Sequence, residues 1–232
     1  MPKRKIIKLI LAIFFFLAGI ELFIYPRITD SIYKNKVKEL EKEFTIKIND
    51  ISNDDNSKLN ELYNLLKEEN NKVYLDGEKR FLSDKTYDIT DINLADYGIE
   101  DNIFGFLDIP TINMTLPIYF GASEANMLKG ATHLTGTSYP IGGVNTNSVI
   151  AGHRGYFKTE MLRNIDKIKI GDKIYLKTVF GTLEYEAIKA IIIKPTDLAK
   201  LTIVEGEDMV TLVSCHPFPT TRERYVLYFK RV

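Results

Sequence analysis

Twelve consecutive apolar or small residues, Leu9 to Ile20, follow a KRKIIK segment at the start of this chain. Glu21 interrupts the run, and LFIY continues it to Pro26. A helix from Ile6 to Tyr25 is about 30 Å long, roughly the thickness of a bilayer's hydrocarbon core. Lys3, Arg4, Lys5 and Lys8 all lie on its N-terminal side. The bias of cationic loops toward the cytoplasm therefore puts residues 1–5 inside, 6–25 across the membrane and the rest of the chain outside. Glu21 is about one turn from the outer end, within reach of the interface. The competing reading is a cleaved signal peptide, but bulky Leu22, Phe23, Ile24 and Tyr25 stand where small cleavage-site residues belong.

Thirty-one bases against 31 acids leave no bulk positive field, and no nucleic-acid partner is expected. Beyond residue 25 the balance is 27 bases to 30 acids, mildly acidic. Cys215 is the single cysteine, so no intramolecular disulfide forms and no cysteine-based zinc site can be built. Three histidines are too few for a multi-histidine metal centre, and no cofactor is expected. An exported protein with one unpaired thiol points to intermolecular pairing or to reactivity.

Residues 26–100 read as a helical N-terminal extension. Ile32, Val37, Leu40 and Phe44 recur at helical spacing, as do Leu59, Leu62, Leu65 and Leu66, ending near Asn70 and Asn71. NDISNDDNS between them reads as a turn. Two helices packed on a larger body, or a charged solvated stalk, both fit. Residues 72–100 have no clear period.

From Ile103 the pattern changes to short runs rich in β-branched and aromatic residues: IFGFLDI, INMTLPIY, NSVIAG, KIYLKTV, LEYEAIKAIIIK, MVTLVSC and RYVLYFKRV. Turn signals separate them, and KTVFGTLEYE reads as a hairpin. Residues 101–232 therefore predict an all-β barrel or sandwich with short helical patches at SEANMLKG, TEMLRNI and TDLAKL.

Cys215 ends the run TLVSC where strand gives way to the loop HPFPTTRE. A thiol nucleophile needs a proton carrier and a positive group for the developing oxyanion. His153, in IAGHRG, occupies the same kind of strand end. His216 is adjacent to the cysteine, but neighbours on a strand face opposite ways. His133, in GATHLTGTSYP, reads as structural. If TLVSC and RYVLYF are antiparallel neighbours, the eight-residue connection returns Arg224 beside Cys215 and leaves Arg222 in the loop. Glu205, Glu207 and Asp208 read as a solvated turn rather than a calcium site. A non-catalytic domain with Cys215 as core filler, and an anchored cysteine hydrolase, remain open on these residues alone.

TLVSC with Arg224 nine residues on, IAGHRG, and THLTGTSYPIGG ahead of it, behind an apolar anchor, resemble the sortase family of Gram-positive cysteine transpeptidases. LDIPTINMTLPIYFG, GHRG and YPRITDSIY resemble its class C, the pilin-polymerising branch. CHPF is similar to the CxPF of class D, and residues 72–100 lack the Asp-Pro-aromatic lid motif usual in class C. Phe81, Tyr87 or Tyr97 are the side chains available to fill a site there.

The resemblance implies a closed eight-stranded barrel and a catalytic set of Cys215, His153 and Arg224. It implies no cofactor. It also implies a donor protein carrying a Leu-Pro-x-Thr-Gly-like sorting signal, cleaved after Thr. The acceptor is an amine, either a pilin lysine or a peptidoglycan precursor.

Overall fold

The computed structural model describes residues 3–54, 57–77, 92–99, 102–155 and 159–232. Helix α1 runs unbroken from Lys3 to Asp54, with Pro26 inside it. The apolar run and the extension, separated at Pro26 in the sequence, are thus one rod of about 78 Å. Proline removes one backbone donor, and Thr29 Oγ1 donates to the Tyr25 and Pro26 carbonyls at 3.1 and 3.0 Å on the next turn. The N-terminal part of α1 is long and apolar enough to cross a membrane, and its most apolar stretch touches nothing else in the protein.

Beyond the apolar run, α1 becomes amphipathic. Tyr33, Val37, Leu40 and Phe44 lie on one stripe and pack against Ile103, Phe106 and Tyr119. Ile32, part of the sequence-read stripe, instead faces solvent at 62% exposure. Helix α2 spans Ser57–Asp76, passing Asn70 and Asn71, and buries Leu59, Leu62 and Leu66. Phe81 and Tyr87 lie outside the described residues. Tyr97 sits in a short 3-10 turn (Leu94–Tyr97) and packs with the α2 cluster.

Eight strands close the barrel among the described residues: β1 (Ile103–Ile109), β2 (Met114–Phe120), β3 (Ala131–His133), β4 (Thr146–Ala151), β5 (Lys173–Thr178), β6 (Gly181–Ile193), β7 (Asp208–His216) and β8 (Glu223–Arg231). Their order is β1-β2-β3-β4-β7-β8-β6-β5, with β4 parallel to β7. Helix α3 (Glu124–Met127) precedes β3. The seven strand runs read from sequence all form. β3 did not stand out because three residues carry too little pattern. TEMLRNI is a set of turns rather than a helix, and its Met161, Leu162 and Ile165 plug one end of the barrel.

Pleat alternation divides the strands. Ile150, Val210, Leu212, Leu227 and Phe229 point inward to the main core. Val149, Met209, Val213, Val226 and Tyr228 point outward into a second apolar cluster, covered by a short turn at Leu198–Leu201.

Asn70 ties α2 to the barrel, and His133 is buried beside that tie. Asn70 Nδ2 donates to the Tyr139 carbonyl at 3.1 Å, and Asn70 Oδ1 accepts from the Tyr139 N–H at 2.6 Å. His133 packs against Tyr139 and Phe120 with ring centroids 4.9 and 5.5 Å away. Its Nε2–H donates to the Ser138 carbonyl at 3.0 Å, and Nδ1 is buried with no partner. A proton on Nδ1 would be a bare buried charge, which pushes the imidazole down to about 4. These contacts make His133 a structural residue.

Asn70→Ala leaves the buried Tyr139 N–H unmet, while the Tyr139 carbonyl keeps the Ile141 N–H, and should cost about 1–3 kcal/mol in urea unfolding, against a fraction of that for Asn71→Ala. His133 binds its proton more weakly in the folded chain than in the unfolded one. Its contribution is therefore complete above about pH 6.5 and fades as pH falls toward 4, by on the order of 3 kcal/mol. Unfolding measured across that window should show this loss in the wild type and a smaller one in His133→Gln, whose amide does not titrate.

Candidate active site

The residues singled out in the sequence meet through strand register. Ala151 on β4 faces Val213 on parallel β7, and the Gly152 N–H continues the ladder to the Val213 carbonyl at 3.1 Å. Ser214 Oγ donates to the Gly152 carbonyl at 2.8 Å. One step further, His153 and Cys215 occupy neighbouring positions at the ends of the two strands. On the other side of β7, Cys215 pairs in register with Arg224 of β8. The odd residues of β7 and the even residues of β8 face outward, so Cys215 and Arg224 lie on the outer face of the barrel rim, and His153 stands two residues past the last paired position of β4. Cys215 and Arg224 continue the rows that form the outer apolar cluster.

Ser214 points inward and is buried, whereas Cys215 is half-buried and free. Arg222 is exposed in the loop. Arg224 Nη1 donates to the carbonyls of Thr221 and Glu223 at 2.9 and 3.0 Å, which folds the guanidinium over the end of the loop. Its remaining N–H groups carry the positive charge at this rim.

Burial pushes the His153 imidazole below its ordinary value, and the carboxylate of Glu124 on α3 partly offsets that. His153 is therefore mostly neutral near pH 7. His216, adjacent to the thiol in sequence, is engaged elsewhere: its Nδ1 accepts from Arg154 Nη1 at 2.8 Å.

Arg154 is the residue that sequence reasoning passed over, although it stands inside the GHRG segment. Its guanidinium is almost fully buried. Nη2 pairs with Asp166 at 2.8 Å, Nη1 also reaches the Cys215 carbonyl at 3.4 Å, and the group lies 5.5 Å from the Tyr225 ring centre. It ties the turn after β4 to the last residues of β7. The following Gly155 has φ +84°, and a Cβ there would stand 2.6 Å from Arg163 Nε, so the turn needs glycine. An arginine flanked by His153 and Gly155 carries no periodic signal that separates such a clamp from a surface charge.

The acidic residues of the connection before β7 have other partners. Asp208 accepts from Tyr185 Oη at 2.9 Å and from the Gly143 N–H at 2.8 Å, so it is a structural tie rather than part of a solvated turn. Glu207 pairs with Lys230 at 2.7 Å. Among the described residues no group of three His, Cys, Asp or Glu side chains is placed to hold a metal.

The fold recurs in known proteins. The sortase domain model matches residues 107–232. The chain is 31% identical to sortase D of Bacillus subtilis over 131 residues, 55% of this chain and 63% of that protein, so it spans less than two thirds of that relative's length. It superposes on sortase C of Streptococcus pneumoniae, a structure reported for its insights into catalysis and pilin substrate specificity. The TM-score is 0.71 at 31% identity, over 84% of this chain and 96% of that one. Sortase C from Clostridium perfringens gives a TM-score of 0.68 at 30% identity, over 84% and 98% of the two chains. With the matched domain covering more than half of its residues, the chain belongs to the sortase family.

Proposed function

We propose that this protein is a membrane-anchored cysteine transpeptidase acting on surface proteins with a Leu-Pro-x-Thr-Gly-like sorting signal. The observation that supports the reading is the pairing of Cys215 with Arg224 across β7 and β8, next to the end of β4 that leads into His153. The Cys215 thiol passes its proton to His153 as its sulfur attacks the carbonyl carbon of Thr, and the oxyanion is held at the guanidinium of Arg224. The Thr–Gly C–N bond breaks as an imidazolium form of His153 protonates the departing amine. An incoming amine then attacks the thioester and gives up a proton to His153, the C–S bond breaks, and His153 hands that proton to the departing sulfur to restore the thiol.

A lysine on a pilin subunit is the favoured acceptor, because the sortase C structures match over more than four fifths of the chain, helices included. Anchoring of single proteins to the cell wall is the second reading, supported by the identity to sortase D. α1 is read as the anchor that keeps the enzyme beside tethered donors and acceptors, which raises their effective concentration.

Mass spectrometry of products from a sorting-signal peptide, offered lysine and glycine-type amines separately, tests the reaction and ranks the acceptors. Cys215→Ala should give neither thioacyl enzyme nor product, and turnover by that variant would remove the thiol from the mechanism. Arg224→Ala should lower kcat/KM by about 100- to 1,000-fold, with Arg222→Ala within about two-fold of wild type. The opposite ranking would move the oxyanion role to Arg222.

Glu124 raises the proton affinity of His153. Glu124→Gln should therefore shift the His153-governed limb of the pH–rate profile to lower pH. A shift to higher pH would contradict this assignment.

A further inference from the structure

The course of α1 along the barrel fixes which end of the barrel faces the bilayer. Asp30 lies five residues beyond Tyr25, about 7.5 Å of helix rise. Its carboxylate accepts from the Glu160 N–H at 3.1 Å, in the segment that follows His153. Three residues later Tyr33 donates to the Lys129 carbonyl at 3.0 Å, just before β3 begins. Both contacts are at the end of the barrel where β4 and β7 finish.

The other half of α1 reaches the opposite end. Phe44 meets Phe106 with ring centroids 5.4 Å apart, and Ile48 and Asn49 line a cavity with Val179, Phe180 and Gly181, where β5 turns into β6. Gly143 and Val144, just before β4 starts, belong to that far end as well. The rod thus lies along the barrel with its apolar half projecting past the end that carries His153, Cys215 and Arg224.

A short chain of contacts links this exit to the loop after Cys215. The Arg163 N–H donates to the Glu160 carbonyl at 2.7 Å, and the Arg163 guanidinium lies 5.0 Å from the centre of the Phe218 ring. Phe218 is 49% exposed. An exposed aromatic beside a cation suits the headgroup region, where the ring meets acyl chains and the cation meets phosphate.

We propose that the reactive end of the barrel rests on the outer leaflet, with Phe218 and Arg163 seated among anionic lipid headgroups. This rests on the reading of α1 as the anchor. It deepens the proposed function, because donor and acceptor must then reach Cys215 from the bilayer side, which favours cleavage sites only a few residues above the membrane.

The chain contains no tryptophan, so a single introduced one reports its own position. The full chain is reconstituted in vesicles of phosphatidylcholine and phosphatidylglycerol, with or without bromine on the acyl chains. Phe218→Trp is the probe, Thr221→Trp in the same exposed loop is a second probe should the first fold poorly, and Val144→Trp, 68% exposed at the far end, is the control.

Brominated lipid should cut the Phe218→Trp emission by about two-fold or more, as expected for a ring at the headgroup–acyl boundary, and leave Val144→Trp unchanged. Chain that floats with the vesicles while the loop probe escapes lipid quenching overturns the proposal, whether that probe is open to an aqueous quencher or covered by protein. Stronger lipid quenching at Val144→Trp than at the loop overturns it as well. Chain that does not float with vesicles at all removes the anchor itself, an outcome separate from a wrong orientation.

Discussion

The parallel pairing of β4 with β7 is the constraint on which the reactive rim depends. Parallel neighbours finish at the same end of a sheet, so the side chains just past each strand come out together without any loop having to bring them there. The ladder here continues past Ala151 through Gly152 to Val213, and the buried hydroxyl of Ser214 adds a further bond to the Gly152 carbonyl. A slip of one residue in this pair would turn Cys215 inward and Ser214 outward. The antiparallel pairing of β7 with β8 sets Arg224 by the same rule. Backbone hydrogen bonding thus sets Cys215 opposite Arg224 and brings the end of β4, just ahead of His153, alongside β7.

The outer face is apolar behind the rim. Val149, Val213 and Val226 precede His153 and Cys215, and follow Arg224, on the same rows, and the turn at Leu198–Leu201 covers them. The reactive side chains therefore stand where a greasy floor meets solvent, a setting that lowers the proton affinity of His153 by withholding water. Arg154 closes the back of the rim. Because Asp166 already neutralises it, the guanidinium can sit buried against the Cys215 carbonyl and His216 without an uncompensated charge.

Much of this was legible in the residues, for identifiable reasons. Strand runs show because alternating β-branched and aromatic residues mark a pleated surface, and the length of the HPFPTTRE connection returns Arg224 to Cys215. What stayed hidden needs tertiary knowledge. β3 is three residues long and is held by its neighbours rather than by its own propensity. The continuity of α1 through Pro26 depends on a stripe that becomes visible only when Ile103, Phe106 and Tyr119 are seen beneath it. TEMLRNI has helix-like apolar spacing, yet Met161, Leu162 and Ile165 fold as turns because plugging the barrel end buries all three. Asp208 looked solvated because nothing in sequence links it to Tyr185 or Gly143.

The junction of Asn70 with Tyr139 has a consequence for how the second helix can come away. A side-chain amide that trades both its donor and its acceptor with the backbone of one residue behaves like an extra rung of sheet ladder. Such a rung cannot be half made: a displacement that opens one bond strips the other, and leaves the Asn70 amide and the Tyr139 N–H without each other in a dry setting. The helix is therefore fastened by a catch with two states, seated or released, rather than by a greasy surface along which it could creep.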